Sequence, residues 1–405
     1  LSTAAHLHQA GLGTIVCEAG DGVGGRVRTG RQDGFLLDRG FQVLLPAYPE
    51  LRRLADVSRL NLQPFLRAVL AMTAAGRSWL AAPWHGRQPA AGTARFLLGH
   101  PGDSAALAAL SLRDMLAPGP VIRATDRAAT TIEDLRSRFS EATITEVLRP
   151  FLTGVFLDPS LGTPARLFHL IWRCFLRGGG ALPADGMQTL PRQLAGALPA
   201  GTVRTGTEVT AVTGSGIRTK AGDHLQARAV VIATDGATAA ALAPGVSSPA
   251  WHPVTTFYYR LPASPLHAPI LAIDGHDELL LNTAVLSDVA PSYAPPGAAL
   301  VTASVPGRAD AGLEPRIRSR LARLYDTSTR DWELVAAYAI PRALPVLPAG
   351  QPLARPVRLG PGRYVCGDHR DTPSIQGALV SGRRAASAIL ADLHGRVRPH
   401  SDPDS

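Results

Sequence analysis

Glu18 stands at the C-terminal end of the short apolar run Thr14-Ile15-Val16-Cys17. A carboxylate there can accept hydrogen bonds from both hydroxyls of an adenosine ribose, the chemistry of a dinucleotide-binding βαβ unit. Such a unit also needs a preceding strand and a Gly-x-Gly-x-x-Gly turn, with the acidic residue about 20 positions further on. Leu1 reads as the residue directly after that turn, so the first strand and turn are expected to be missing and the sequence to be N-terminally truncated. A literal Gly-x-Gly-x-x-Gly at Gly20, Gly22 and Gly25 follows the carboxylate and leads into the non-helical stretch RVRTGRQDGF. It reads as a glycine-rich turn. Other chemistries find little support. His85, His100, His169 and His252 are too far apart for a metal motif, so no metal is expected. Cys17, Cys174 and Cys366 form no CxxC pair, which argues against zinc and a disulfide framework and fits a reducing, cytoplasmic setting. No Gly-x-Ser-x-Gly elbow occurs, and the catalytic residues stay unassigned.

The elements that must position Glu18 are readable in part. Residues 1–10 form a helix with Ala4, Ala5 and Leu7 on its packing side and Gly11 as C-cap. Residues 203–212 are strand-like, 217–224 suggest a hairpin, and 229–233 form a buried strand ending in Thr234-Asp235. Near the end, residues 363–366 read as a strand leading into Gly367-Asp368. The following stretch, 374–390, is an amphipathic helix with Ile375, Ala378, Leu379, Gly382, Ala386 and Ile389 on one face and Ser374 as N-cap. Two insertions interrupt these elements. Residues 46–180 are mainly helical by periodicity, and 250–356 include the strand candidate TTFYYRL, with Phe257 and Tyr259 on one face.

Four blocks occur together in one order: EAGDGVGGRVRT with LDRGFQVL, then ALPADGMQTLPRQLAGAL, then the 203–235 strands, then Gly367-Asp368 with its small-residue helix. They resemble the superfamily of flavin-dependent amine oxidases, phytoene desaturases and protoporphyrinogen oxidases. The resemblance implies FAD as cofactor. It places Glu18 on the ribose, Gly24 and Gly25 where the backbone approaches the pyrophosphate, and Arg26 as a fork onto its oxygens. It sets Gly40 and Phe41 beside the isoalloxazine ring, the backbone near Val209 against the adenine, and Asp368, after Gly367, on the ribityl or pyrophosphate region. The helix N-terminus at Gln376, Gly377 and Ala378 would point at the flavin C2 carbonyl, where its partial positive charge stabilises an anion. The implied fold is α/β: a Rossmann-like FAD-binding domain of the glutathione-reductase type (1–45, 181–249 and 357–395), interleaved with an α+β substrate domain (46–180 and 250–356). Residues 396–405 form a polar tail. Lys220, in a polar turn, is a poor counterpart of the lysine that contacts the flavin through water in amine oxidases. Cys366 reads as buried packing, not as a covalent flavin link.

Composition narrows the function. The 405 residues carry 41 basic and 32 acidic side chains, a net charge of +9. Forty of the basic residues are arginine, scattered without interleaved aromatics, so nucleic acid is not an expected partner. Gly 40 and Pro 34 stay below the level of low-complexity chains. The reading is an FAD-dependent oxidoreductase, whether oxidase, dehydrogenase or desaturase. It moves hydride from an apolar, polyene or polycyclic small molecule to flavin N5, with oxygen or a quinone as electron acceptor. The lean toward a lipophilic substrate rests on the modest aromatic content, 5 Trp, 7 Tyr and 10 Phe. Three alternatives stand: an amine oxidase for a small amine, a non-redox isomerase using reduced FAD, and a cofactor-free fragment. No apolar run reaches the roughly 18–20 residues of a membrane span. Peripheral membrane contact is the alternative reading of RLFHLIWRCFLRGGG, residues 166–180, with Arg166, Arg173 and Arg177 at its polar edge; a core helix is preferred.

Overall fold

The two ends of the chain pack on each other. Helix Ser2–Gln9 crosses helix Ile375–Gly395 at Gly382, where an added Cβ would fall 2.7 Å from the Ser2 Cβ. Ser2 Oγ donates to the Leu379 carbonyl at 2.8 Å and Thr3 Oγ1 to the Gly382 carbonyl at 3.0 Å. Cys366 is buried against Thr3, so it packs as expected. The structure, a computed structural model, describes residues 1–74, 76–81, 99–308 and 311–395. His85 and the 396–405 tail lie outside the described residues.

Near this crossing lie the short strands of the segments 1–45, 181–249 and 357–395. Val16–Cys17 runs parallel to Val203–Arg204, and Val230–Ile232 runs parallel to Arg363–Val365. The stretch read as one strand over 203–212 is two, Val203–Arg204 and Val209–Val212. The second opens a three-stranded meander with Gly216–Thr219 and His224–Gln226, closed by the hairpin turn expected there. Asp235 caps helix Gly236–Leu242 by accepting from the Ala237 and Thr238 amides.

The two insertions share one sheet. Seven strands lie in the order Glu333–Pro345, Trp251–Leu261, Ala299–Pro306, Asn282–Val285, Leu271–Asp274, Ala68–Thr73 and Gly76–Ala81. Residues 46–180 are therefore less uniformly helical than the periodicity suggested. The six-residue run Ala68–Thr73 is too short to read as helix or strand by spacing, and it is settled by pairing in parallel with Leu271–Asp274. One face of this sheet, with Phe257 and Tyr259, packs on helix Glu314–Tyr325. The opposite face, with Thr256 and Tyr258, meets the Asp38–Phe41 segment.

Helix Ala165–Gly178 is a core helix, burying Arg166, Leu167, Phe168, His169 and Cys174. His169 is a satisfied core histidine: Nδ1 lies 2.7 Å from Asp114 and Nε2 3.4 Å from Asp134. Burial pulls its pKa down, but the hydrogen bonds to both carboxylates outweigh burial and hold it above the ordinary value. Asp134 is held well below the carboxylate range; burial opposes this, and the bonds to His169 and Arg138 prevail. The two signs are opposite. His169 contributes stability that is complete below about pH 6.5 and lost as pH rises through its raised folded pKa. Asp134 contributes stability that is complete above about pH 4 and lost as pH falls through its depressed one. The thermal midpoint is expected to decline on the alkaline side in the native protein and to stay flat there in His169→Gln. Parallel alkaline slopes for the two proteins in a melting series would refute this. Among the described residues no helix is long and apolar enough to cross a membrane.

Candidate functional site

The strand Val16–Cys17 delivers Glu18 half-buried at its end. The Glu18 Oε1 accepts from the Gly20 amide at 2.8 Å, which turns the glycine loop back over the strand. The Thr207 amide donates to the Glu18 carbonyl at 2.8 Å and the Gly206 amide to the Gly20 carbonyl at 2.8 Å. The chain segment entering Val209 is thereby brought beside Glu18, as a shared adenosine site requires. Gly24 has φ +121°, and a Cβ on it would lie 2.2 Å from the Val27 carbonyl, so glycine is needed to make the turn itself. Gly25 has φ +57° and open space around it, leaving a surface that a phosphate can approach closely.

Arg26 and Asp368, 342 positions apart, meet at the centre. The Arg26 Nη2 donates to Asp368 Oδ2 at 2.7 Å, and Nη1 donates to the Ala343 carbonyl at 2.7 Å. The guanidinium also sits over the Trp251 ring, 5.6 Å from its centroid. Asp368 is 5% exposed. Gly367 before it has φ +146°, and a Cβ there would collide with the His369 ring at 2.6 Å. His369 escaped the sequence reading. It is buried, burial lowers its pKa to about 4, and neither ring nitrogen has a partner among the described residues. A neutral imidazole with free hydrogen-bonding capacity beside Asp368 is what a polar cofactor chain would satisfy. Its only sequence signal was its place directly after Gly-Asp.

The helix start at 375 is built as expected. Ser374 Oγ accepts from the Gly377 amide at 3.0 Å, and the Ser374 carbonyl from the Ala378 amide at 3.0 Å. The first turn of any helix carries amides without partners in the helix and a partial positive charge. Gly377 has a packing reason of its own: a Cβ would fall 1.8 Å from the Thr372 carbonyl. The Gln376 Oε1 accepts from the Glu50 amide at 3.0 Å, so its side chain ties the helix start to helix Pro49–Leu54. Gly40, with φ +87°, presses under Ile340, and the Phe41 amide donates to Thr256 Oγ1 at 3.4 Å. Val254, Thr256, Tyr258, Tyr338 and Ile340 share the sheet face above this loop. Sequence reasoning also passed over Asp38, which lies inside LDRGFQVL and is buried among hydrogen-bond donors from three distant segments. An acidic residue ending the run Phe-Leu-Leu was its signal.

The sequence matches the family described as flavin containing amine oxidoreductase over residues 1–390. The chain belongs to that family. This flavin-containing oxidoreductase therefore takes FAD as its cofactor, and its fold class is the α/β, FAD-binding one expected. No curated protein matches it. Among solved structures it is similar to an oxidoreductase from Methanosarcina mazei, at 16% identity, covering 96% of this chain and 97% of that one, with a TM-score of 0.72. A reduced UDP-galactopyranose mutase gives 15% identity, 96% and 93% coverage and 0.69. A putrescine oxidase bound to putrescine gives 17%, 96% and 96%, and 0.64. At such identities the likeness is one of fold.

Proposed function

We propose that this family member is an FAD-dependent oxidoreductase acting on a lipophilic substrate. The observation that carries the cofactor placement is the meeting of Arg26, Asp368 and the unpartnered His369 in front of the helix start at Ser374. When bound, FAD supplies the two-electron acceptor that takes hydride from a substrate C–H or C–N–H unit, and oxygen or a quinone takes the electrons onward. Arg26, held by Ala343 and Asp368, would offer its remaining N–H groups to pyrophosphate oxygens, with Gly25 leaving the approach open. Glu18 and the segment entering Val209 hold the adenosine end, and Asp368 with His369 holds the polar chain between. The helix start at Gln376, Gly377 and Ala378 would turn its partial positive charge toward the ring end, the Gly377 and Ala378 amides themselves being taken by Ser374.

The substrate side is argued from what lines the Gly40-Phe41 loop. Phe41 packs edge-on against Phe65 at 6.4 Å, and Val43, Val335, Ala336 and Tyr338 belong to the same apolar cluster. The charge adjoining the loop in the chain is the exposed Arg39, Arg26 is paired with Asp368, and the Asp38 carboxylate is occupied by three donors. Such a setting favours an apolar molecule over an ammonium ion. The test is anaerobic mixing of the FAD-loaded protein with a polyene, a polycyclic hydrophobe or putrescine, following loss of the flavin's visible absorbance. Bleaching by the lipophilic compounds alone is expected. Rapid bleaching by putrescine with none by the others would overturn the substrate class. Turnover that needs prereduced flavin and consumes no acceptor would overturn the redox assignment.

A further inference from the structure

Helix Pro101–Leu116 has two apolar faces. One packs inward: Leu110 is buried, and Ala106 and Leu107 pack against the same core. Polar side chains of the helix are also taken up by the protein. Asp114 is fully buried on His169 and Arg113, Asp103 accepts from Ser140 and Thr143, and Ser111 Oγ accepts from the Trp172 indole. A second apolar face is turned outward. Leu112, Met115 and Leu116 are 55%, 40% and 68% exposed, and the stripe continues to Val121, 56% exposed, on helix Gly119–Ala124. Ala105, Ala108 and Ala109 extend it backward, so the outward positions follow the spacing of one helical face. Single exposed apolar residues are ordinary on a protein surface, but a continuous stripe of large ones marks a surface that something covers.

The border of the stripe says what. The last carbonyls of the helix are capped by arginines: Arg177 Nε and Nη2 donate to the Met115 carbonyl, at 3.2 and 2.6 Å, and Arg173 Nε donates to the Ala117 carbonyl at 2.9 Å. Both guanidinium groups come from the core helix Ala165–Gly178, and neither has a carboxylate partner among the described residues. The 166–180 segment thus supplies the cations, while its neighbours supply the apolar face. We propose that the Pro101–Ala124 corner docks this protein on an anionic membrane surface, with Leu112, Met115, Leu116 and Val121 entering the headgroup boundary and Arg173 and Arg177 meeting lipid phosphates. A second copy of the chain is the poorer occupant. A symmetric contact through this stripe would set arginines against the same arginines with no carboxylate to receive them.

A cavity of about 270 Å³ opens beside the stripe. Gly119, Pro120 and Arg173 line it at that end, and Tyr48, Ser374 and Gln376 at the other. The cavity therefore leads from the docking corner toward the helix start at the proposed flavin site, a course suited to a lipophilic substrate held in a bilayer. That course rests on the substrate reading above; the docking does not.

The test is co-sedimentation of the FAD-loaded protein with vesicles of phosphatidylcholine alone, or of phosphatidylcholine and phosphatidylglycerol in equal parts. Binding to the anionic vesicles only is expected, weakened by added salt. Leu112→Gln/Leu116→Gln, which changes exposed positions and adds no charge, should weaken it by about tenfold or more, and Arg177→Ala by about fivefold. Flavin content and bleaching by substrate in detergent should stay unchanged in the double variant, which separates docking from catalysis. Failure of the native protein to sediment with either vesicle, or undiminished sedimentation of the double variant, would overturn the proposal. So would a native dimer in solution that the double variant converts to monomer, since a second copy would then be the cover.

Discussion

Arg26→Ala is expected to release FAD. The guanidinium is held in place by Asp368, the Ala343 carbonyl and the Trp251 ring, whereas Arg28, the other cation at the Gly24 turn, is paired with Asp21. Charge-assisted hydrogen bonds contribute about 1.5–3 kcal/mol each, so loss of a forked pair onto pyrophosphate should weaken FAD binding by roughly a hundredfold or more. The same substitution leaves the Asp368 carboxylate buried without its counter-ion. Fully buried pairs lose about 3–5 kcal/mol when one partner is removed. The Arg26 side chain is 32% exposed, so a loss nearer 2 kcal/mol is expected here. The two effects separate in Arg26→Gln/Asp368→Asn, which removes both charges. That variant should recover most of the denaturation midpoint and still lose FAD, read as visible absorbance per protein after dialysis. If Arg26→Ala keeps a full complement of FAD, Arg26 is only a structural partner of Asp368 and the pyrophosphate assignment fails.

How much of this site was legible follows from the range of the interactions involved. Arg26, Gly25, Gly367-Asp368 and the Ser374 cap are local devices. A turn demands glycine where φ is positive, and a helix start demands a hydroxyl, whatever the rest of the chain does. Their spacing can be read along the sequence. Their convergence was legible only through the order of the blocks, because no local rule brings residue 26 to residue 368. His369 was hidden for the opposite reason: a histidine acquires meaning only from burial, and burial is a property of the packed chain. Helix Pro101–Leu116 misleads for a related reason. Apolar positions at helical spacing normally announce the inward face, but here one apolar face, with Ala106, Leu107 and Leu110, packs inward beside Asp114, and a second, with Leu112, Met115 and Leu116, is left outside. The hairpin of Ala68–Thr73 with Gly76–Ala81 was lost inside a segment read as helical, since six-residue runs carry too few periods to distinguish helix from strand.

Asp38 shows how a residue given no role by its motif can still govern the site, and its two simplest substitutions are expected to behave very differently. The carboxylate is 2% exposed at the end of strand Phe35–Asp38. Its Oδ1 accepts from Thr29 Oγ1 at 2.5 Å and the Met187 amide at 3.0 Å, and its Oδ2 accepts from the Tyr293 hydroxyl at 2.7 Å. Its own carbonyl accepts from the Tyr258 hydroxyl at 2.7 Å. The side chain thus ties the hairpin of Thr29–Gln32 with Phe35–Asp38 to the 181–198 segment and to the turn Pro291–Tyr293, and the main chain ties it to the seven-stranded sheet, two residues before the Gly40-Phe41 loop. Burial is the largest influence on its pKa and raises it, while the hydrogen bonds from Thr29, Tyr293 and Met187 pull it back only in part. For a carboxyl whose folded pKa is raised, the stabilising contribution is complete below the unfolded value near pH 4 and is lost as pH rises through the folded value. Burial disfavours the charged form, so Asp38→Asn, which keeps the shape and an accepting oxygen, should be neutral or slightly stabilising. Asp38→Ala strands three buried donors at about 1–3 kcal/mol each. With partial relaxation, a loss of about 3–5 kcal/mol and a loosened Gly40-Phe41 loop with poorer flavin retention are expected. Urea midpoints of the three proteins decide the matter: if asparagine is as damaging as alanine at neutral pH, the charge itself holds the junction, and the account of Asp38 as a buried hydrogen-bond acceptor is wrong.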